Sequence, residues 1–186
     1  EMPLYYTSIL EEHKSVRTAA GVFDISHMGQ VWLEGPGALE TLNYLLVSDI
    51  ASVGEGRACY TLAVNEQGGT IDDVIVYRLA VQLYVVIVNC GTRAKDLAWF
   101  IAHRQGQATI EDISAGRSIL AIQGPKAAPL LEAALETRVS GMGRFDIAPL
   151  RRMGERAWIA RTGYTGSDGF EVFLPDHPAV RLWQRL

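Results

Sequence analysis

The stretch from residue 57 to residue 90 constrains the fold more than any other part of the chain. RACYTLAVN (57–65), TIDDVIVYRLA (70–80) and QLYVVIVNC (82–90) are strand-like runs rich in β-branched and aromatic residues. EQGG links the first two, and Gly68 and Gly69 give that link the backbone freedom of a tight turn. Three consecutive antiparallel strands follow. Around them the spacing of apolar residues predicts helices over 9–20, 36–47, 92–104 and 125–136. Pro36 suits the first turn of the second helix, and Thr92 is placed as the N-cap of the third. Shorter strands are predicted over 31–33, 107–113, 117–122, 155–161 and 169–174. Adjacent strands with interspersed helices argue for an α+β fold with antiparallel sheets and flanking helices.

Composition enters as a set of exclusions. With 186 residues, 48% apolar and 20% charged, the chain can bury a real core and is neither disordered, collagen-like nor mucin-like. Its longest unbroken apolar run, Leu83–Val88, is too short to cross a bilayer. With no signal-peptide pattern, the default compartment is the bacterial cytoplasm or a mitochondrial matrix. The chain opens on Glu1 and stops at Leu186 within a helix-like pattern of Val180, Leu182 and Trp183, which reads as part of something longer.

Charge is unevenly placed. Residues 1–73 carry 3 basic and 11 acidic side chains, and residues 74–186 carry 14 and 10, giving local balances of −8 and +4. Arg144, Arg151, Arg152, Arg156 and Arg161 face only Asp146 and Glu155 nearby in sequence. They are either solvated surface arginines or a patch for phosphate, carboxylate tails or an acidic protein. An acidic chain without RNP, KH or zinc-finger patterns is a poor nucleic-acid binder. Cys59 and Cys90 lie in apolar runs without metal-ligand spacing, so they are expected to be small buried hydrophobes, and no metal site is expected.

Several familiar chemistries are absent. Gly35-Pro36-Gly37 fails as a dinucleotide fingerprint because Glu40 stands where the last glycine belongs. Neither GxxxxGK[ST] nor GxSxG occurs. FDISHMG (23–29) tempts a hydrolase triad, but Phe23 and Ile25 alternate as in a buried strand. Two features remain. Neighbouring residues of a strand face opposite sides, so Ile71, Asp73, Ile75 and Tyr77 share one face and Asp72, Val74, Val76 and Arg78 the other. Either both acids cap the strand near the GG turn, or Asp73 is a carboxylate in an aromatic setting suited to acid–base work or to a protonated nitrogen. RTGYTGSDGFE (161–171) is either a tight hairpin turn or a backbone-rich ligand loop followed by Glu171.

The segments MPLYY, EEHKSVRTAAGVFDISHMG, YTLAVNEQGGTIDDVIVY, VNCGTRAKDLAW, LAIQGP and ARTGYTGSDGFEVF, in that order, resemble the T protein of the glycine cleavage system, an aminomethyltransferase. The resemblance runs from Met2 to the last residue and covers the middle of that family's length. It lacks a short N-terminal segment, a later arginine-bearing stretch and the C-terminal barrel domain. The implied reaction moves the one-carbon unit from aminomethyl-dihydrolipoyl H protein to tetrahydrofolate and releases ammonia. The implied site has Asp73 at the reactive folate nitrogens, Glu171 on the pterin edge, Tyr60, Tyr77 and Tyr164 as aromatic walls, and Asn89 close by. The partners implied are lipoylated H protein and tetrahydrofolate, with no membrane, no nucleic acid and no metal.

The organisation expected is a discontinuous first α+β domain, 1–31 plus 115–186, with a second antiparallel α+β domain, 32–114, inserted. Ser167 departs from the GYTGEDGFE pattern common in the family and is expected at the loop surface. By itself this stretch is expected to fold yet turn over poorly. The alternatives are the folate-binding portion of a dimethylglycine or sarcosine dehydrogenase-like enzyme, or a non-catalytic folate-binding tRNA-modification and iron–sulfur factor. The last carries a cysteine motif resembling KGCYxGQE that this chain lacks.

Overall fold

A computed structural model describes residues 3–186, so Met2 of the MPLYY segment lies outside them. In chain order the elements are α1 (Ile9–Thr18), β1 (Gly21–Asp24), β2 (Gly29–Glu34), α2 (Ala38–Leu45), β3 (Arg57–Val64), β4 (Thr70–Ala80) and β5 (Leu83–Val88). Then come α3 (Arg93–Ala102), β6 (Thr109–Asp112), β7 (Arg117–Gln123), α4 (Ala127–Leu135), β8 (Ile147–Pro149), β9 (Trp158–Ala160), β10 (Gly169–Pro175) and α5 (Asp176–Arg185). Short 3-10 turns span Ile50–Ser52 and Arg151–Met153.

The chain divides into two compact units. One comprises Glu1–Ile25 and Ser118–Leu186, and the other Ser26–Arg117. The first break therefore falls at 25/26, ahead of the 31/32 read from sequence, because β2 as a whole pairs with β5 and β6 and leaves with them. The second falls at 117/118 instead of 114/115, since Arg117 donates to Gln30 Oε1 at 3.1 Å.

The inserted unit holds a five-stranded sheet in the order β3-β4-β5-β2-β6. Its ladders are antiparallel throughout, and the central meander is the one read from 57–90. Its β3–β4 turn is an Asx turn. Asn65 Oδ1 accepts from the backbone of Gln67 and Gly69 at 3.1 and 2.7 Å, and Gly68 takes φ +78°, which a side chain would disfavour. One face of the sheet (Val31, Leu33, Val74, Val76, Tyr84, Val86, Val88) packs with Leu42, Leu45 and Phe100 of α2 and α3 into a dry core.

β4 carries a bulge. Asp72 pairs with Ala63 and Thr70 with Val64, which leaves Ile71 as the extra residue without a cross-strand partner. The alternation read from sequence breaks there. Ile71 packs against the helix-side cluster instead of sharing the face of Asp73. The Ile71 carbonyl accepts from Lys95 Nζ at 2.6 Å.

The discontinuous unit holds the sheet β1-β7-β10-β9-β8. Its core gathers Leu120, Ile122, Ile159, Phe170, Val172 and Leu174 with Leu131 of α4 and Leu182 of α5. β8 leaves no signal in the sequence. Its three residues, Ile-Ala-Pro, carry too little pattern, and pairing with β9 makes them a strand. The buried strand expected around FDISHMG is looser than foreseen, with Phe23 38% exposed.

Candidate functional site

In the inserted unit three segments converge on Asp73. Asp73 stands opposite Leu62, and Ile75 stands opposite Tyr60, so Tyr60 and Asp73 share one face as diagonal neighbours. The Tyr60 hydroxyl donates to Asp73 Oδ2 at 2.9 Å. On the other side Ile75 is opposite Ile87, which brings Asn89, just past the end of β5, level with Asp73. Asn89 Nδ2 donates to Asp73 Oδ1 at 3.1 Å and to the Asp73 carbonyl at 3.2 Å. Each oxygen of this half-buried carboxylate thus accepts from a neutral donor and keeps lone pairs for a further group.

The same asparagine grips the neighbouring acid. Asp72 Oδ1 accepts from Asn89 Nδ2 at 2.9 Å, and Oδ2 accepts from the Asn89 backbone at 3.2 Å and the Thr92 hydroxyl at 2.8 Å. Burial pushes the Asp72 carboxyl up, but these donors outweigh it and hold the group below the usual carboxylate range. Asp96, on the first turn of α3, is fully buried. Burial, reinforced by the neighbouring Asp72, pushes its pKa up to about 6. Lys95 Nζ stands 3.8 Å from its Oδ1.

In the discontinuous unit the loop between β9 and β10 is shaped from below. Gln123 is buried, and its amide donates to the carbonyls of Thr162 and Phe170 at 3.1 and 3.2 Å. Its Oε1 accepts from Thr165 at 3.1 Å. A Cβ on Gly163 would come within 1.9 Å of that Oε1, so only glycine lets the loop close over the glutamine. Arg161 clasps Asp168 through Nε at 3.0 Å and Nη2 at 2.6 Å, and the pairing holds the Asp168 carboxyl below its ordinary range. Glu171, half-buried on β10, accepts from the Thr162 hydroxyl at 2.5 Å.

The structure therefore gathers Asp73, Tyr60 and Asn89 into one cluster. Tyr77 lies farther along the same strand and is fully buried. Glu171 and Tyr164 belong to the other unit, where the Tyr164 ring is 93% exposed. Ser167 is half-buried and its hydroxyl accepts from Arg17 at 2.9 Å, so it joins the loop to α1 instead of lying idle at the surface.

Other expectations change. Thr92 occupies the N-cap position of α3, but its hydroxyl makes no capping bond and donates to Asp72 and to the Asn89 carbonyl. Cys90 is exposed, lying past the end of β5, and Cys59 is half-buried on the edge strand β3. Of the five arginines, Arg161 is committed to Asp168, while Arg151 and Arg156 line a cavity of about 390 Å³ with Glu155 and Trp158. Sequence reasoning missed Asp96, Gln123, Thr162 and the hydrogen-bonding role of Thr92. For Asp96 a signal existed, since it precedes Phe100 by one helical turn and so falls on the buried stripe of α3. Among the described residues, no group of three or more His, Cys, Asp or Glu could hold a metal ion, and no helix is long and apolar enough to cross a membrane.

Residues 1–186 in full match the family described as the GCVT N-terminal domain. The chain belongs to that family. Within it, the aminomethyltransferase of Rubrobacter xylanophilus is 46% identical over 187 residues, covering 100% of this chain and 50% of the relative. That of Thermus thermophilus is 45% identical over 186 residues, covering 100% of this chain and 53% of the relative. The crystal structure of glycine cleavage system aminomethyltransferase T from Bartonella henselae superposes with a TM-score of 0.92 at 35% identity, over 99% of this chain and 50% of that one. The chain thus spans about half the length of the family members it matches. Heterotetrameric sarcosine oxidase from Corynebacterium shares the fold, with a TM-score of 0.63 at 17% identity over 93% of this chain and 88% of that one. The α+β reading, with antiparallel sheets and flanking helices, is the fold of this family.

Proposed function

We propose that the protein carrying these residues is a tetrahydrofolate-dependent aminomethyltransferase of the glycine cleavage system. It takes the one-carbon unit from the aminomethyl-dihydrolipoyl arm of H protein, and Asp73 is its catalytic carboxylate. The observation that carries the reading is the Tyr60–Asp73–Asn89 cluster, within a chain that belongs to the family of the aminomethyltransferases. A flat, amphipathic pterin suits such a place, because the half-exposed Tyr60 ring offers an apolar wall and Asp73 offers directed acceptors.

The proton balance explains why one carboxylate suffices. The methylene carbon gains bonds to the two folate nitrogens and loses those to the lipoyl sulfur and to the amine. Two N–H protons leave the folate, and one ends on the sulfur and one on the departing ammonia. No net proton is consumed, so the site needs a group that takes a proton from a nitrogen and returns it to a leaving group. Asp73, aimed by Tyr60 and Asn89, can do both and can stabilise an iminium on the way. No cysteine is required, as the thiol belongs to the lipoyl arm.

For the other unit the proposal is separate. Glu171 offers its carboxylate to two N–H groups on the edge of a planar ligand, Tyr164 contributes aromatic surface, and the exposed Arg151 and Arg152 meet a carboxylate-rich tail or the acidic carrier. In the natural protein, Asp73→Asn is expected to keep the fold and lose about a hundredfold or more in transfer rate. Calorimetry with tetrahydrofolate tests the binding half of the reading. Absence of folate-dependent heat in the wild-type protein, or full transfer by Asp73→Asn, would overturn it.

A further inference from the structure

We propose that Asp96 is a positioning residue for Asp73: its carboxyl donates a hydrogen bond to Asp72 and fixes the Asp72 carboxylate as the acceptor that orients Asn89, which in turn orients Asp73. The inference rests on the reading of Asp73 as the reacting carboxylate.

Asp96 is fully enclosed, neither of its oxygens meets a donor in good hydrogen-bond geometry, and the nearby Thr92 hydroxyl spends its proton on Asp72 at 2.8 Å. A buried carboxylate in that state is costly, and an apolar residue on this stripe of α3 would pack beside Phe100 without the cost. The acid beside it is the opposite case. Asp72 already receives three hydrogen bonds, from the Asn89 backbone, the Asn89 amide and Thr92. Two adjoining carboxyls in a dry place share one proton, and it resides on the partner that lacks donors. That partner is Asp96.

The charged groups facing Asp96 are Asp72 from β4 and Lys95 from its own helix. Lys95 Nζ is itself engaged with the Ile71 carbonyl at 2.6 Å. Losing the shared proton therefore sets two anions against each other, with one distracted ammonium to offset them. The repulsion falls on Asp72, and so on the asparagine that aims Asp73. The raised pKa of Asp96, about 6, places this loosening within the working range of most enzymes.

The test uses three proteins: wild type, Asp96→Asn, which keeps a neutral donor at every pH, and Asp96→Ala, which has none. The first readout is the side-chain amide resonance of Asn89. In the wild type it should shift with an inflection near pH 6, and in Asp96→Asn it should stay flat at the low-pH position. The second readout is transfer by the natural protein. Asp96→Ala should lose about tenfold to a hundredfold in kcat with KM little changed. Asp96→Asn should restore kcat and remove the inflection near pH 6 from its pH profile. An Asn89 resonance that ignores both pH and Asp96→Asn would overturn the proposal, as would an Asp96→Ala enzyme with wild-type kcat. If Asp96→Ala fails to fold, the wild-type and Asp96→Asn titrations decide alone. Failure of tetrahydrofolate to bind would sink the functional reading and leave the resonance titration standing.

Discussion

The two acids singled out by the sequence are held in opposite ways. Asp73 is aimed by side chains: a hydroxyl from β3 and an amide beyond β5, with two more carboxyls stacked on the helix side of that amide. Glu171 is aimed by a loop. The Thr162 hydroxyl donates to it, and the loop's path is set by a buried glutamine and an arginine–aspartate clasp. The first arrangement stores its precision in charge and protonation, and the second in volume. A change of one atom type should damage the first, and a change of one methyl group the second.

The largest effect should come from adding volume to the loop. Gly163→Ala drives a methyl group into Gln123, and it is expected to destabilise by about 3 kcal/mol, read as a lowered urea midpoint. The inserted unit should respond next, and with the opposite sign. Folded Asp96 keeps its proton up to about pH 6, whereas the unfolded chain releases it near the ordinary value of 3.8. Between those values the folded state binds more protons, so wild-type stability falls as pH rises through this window. Asp96→Asn escapes that loss. It should match the wild type near pH 4 and exceed it by about 2 kcal/mol at pH 8, by denaturant titration at both values. Equal stability at both would remove the charge side of the contrast.

Smaller effects sharpen the comparison further. Tyr60→Phe removes one donor from a half-exposed carboxylate and should cost about 1 kcal/mol of stability, with a larger loss in transfer rate. Ser167→Glu, by facing Arg17 with a carboxylate, should add about 0.5 kcal/mol at low salt and less at high salt. A larger gain would mean that the loop depends on charge as much as its counterpart does.

What the sequence disclosed follows the same divide. The meander over 57–90 was legible because period-2 runs and a glycine turn are local signals, and its strands lie within a residue or two of where the pattern put them. Strand alternation separated Asp73 from Asp72 correctly beyond the bulge. It could not foresee the bulge itself, since that depends on pairing with β3. Thr92 looked like an N-cap because a threonine ahead of a helix fits two roles alike, and only the nearness of Asp72 chooses between them. Gln123, Thr162 and Asp96 act through partners 39, 9 and 24 residues away. Contacts at such separations leave no periodicity to read. The loop pattern pointed to Glu171 and family resemblance gave it a role, whereas Asn89 was named by resemblance alone.

The bulge at Ile71 has a consequence for how this region tolerates change. A strand without one transmits every insertion or deletion along its whole length, rotating each later side chain to the wrong face. Here the register has already slipped by one residue between the β3–β4 turn and the acid pair. The slip is anchored by Lys95, which occupies the carbonyl that the slip sets free. Length variation among natural homologues should therefore collect in the turn at 65–69, on the far side of this anchor, while the spacing from Asp72 to Asn89 stays fixed.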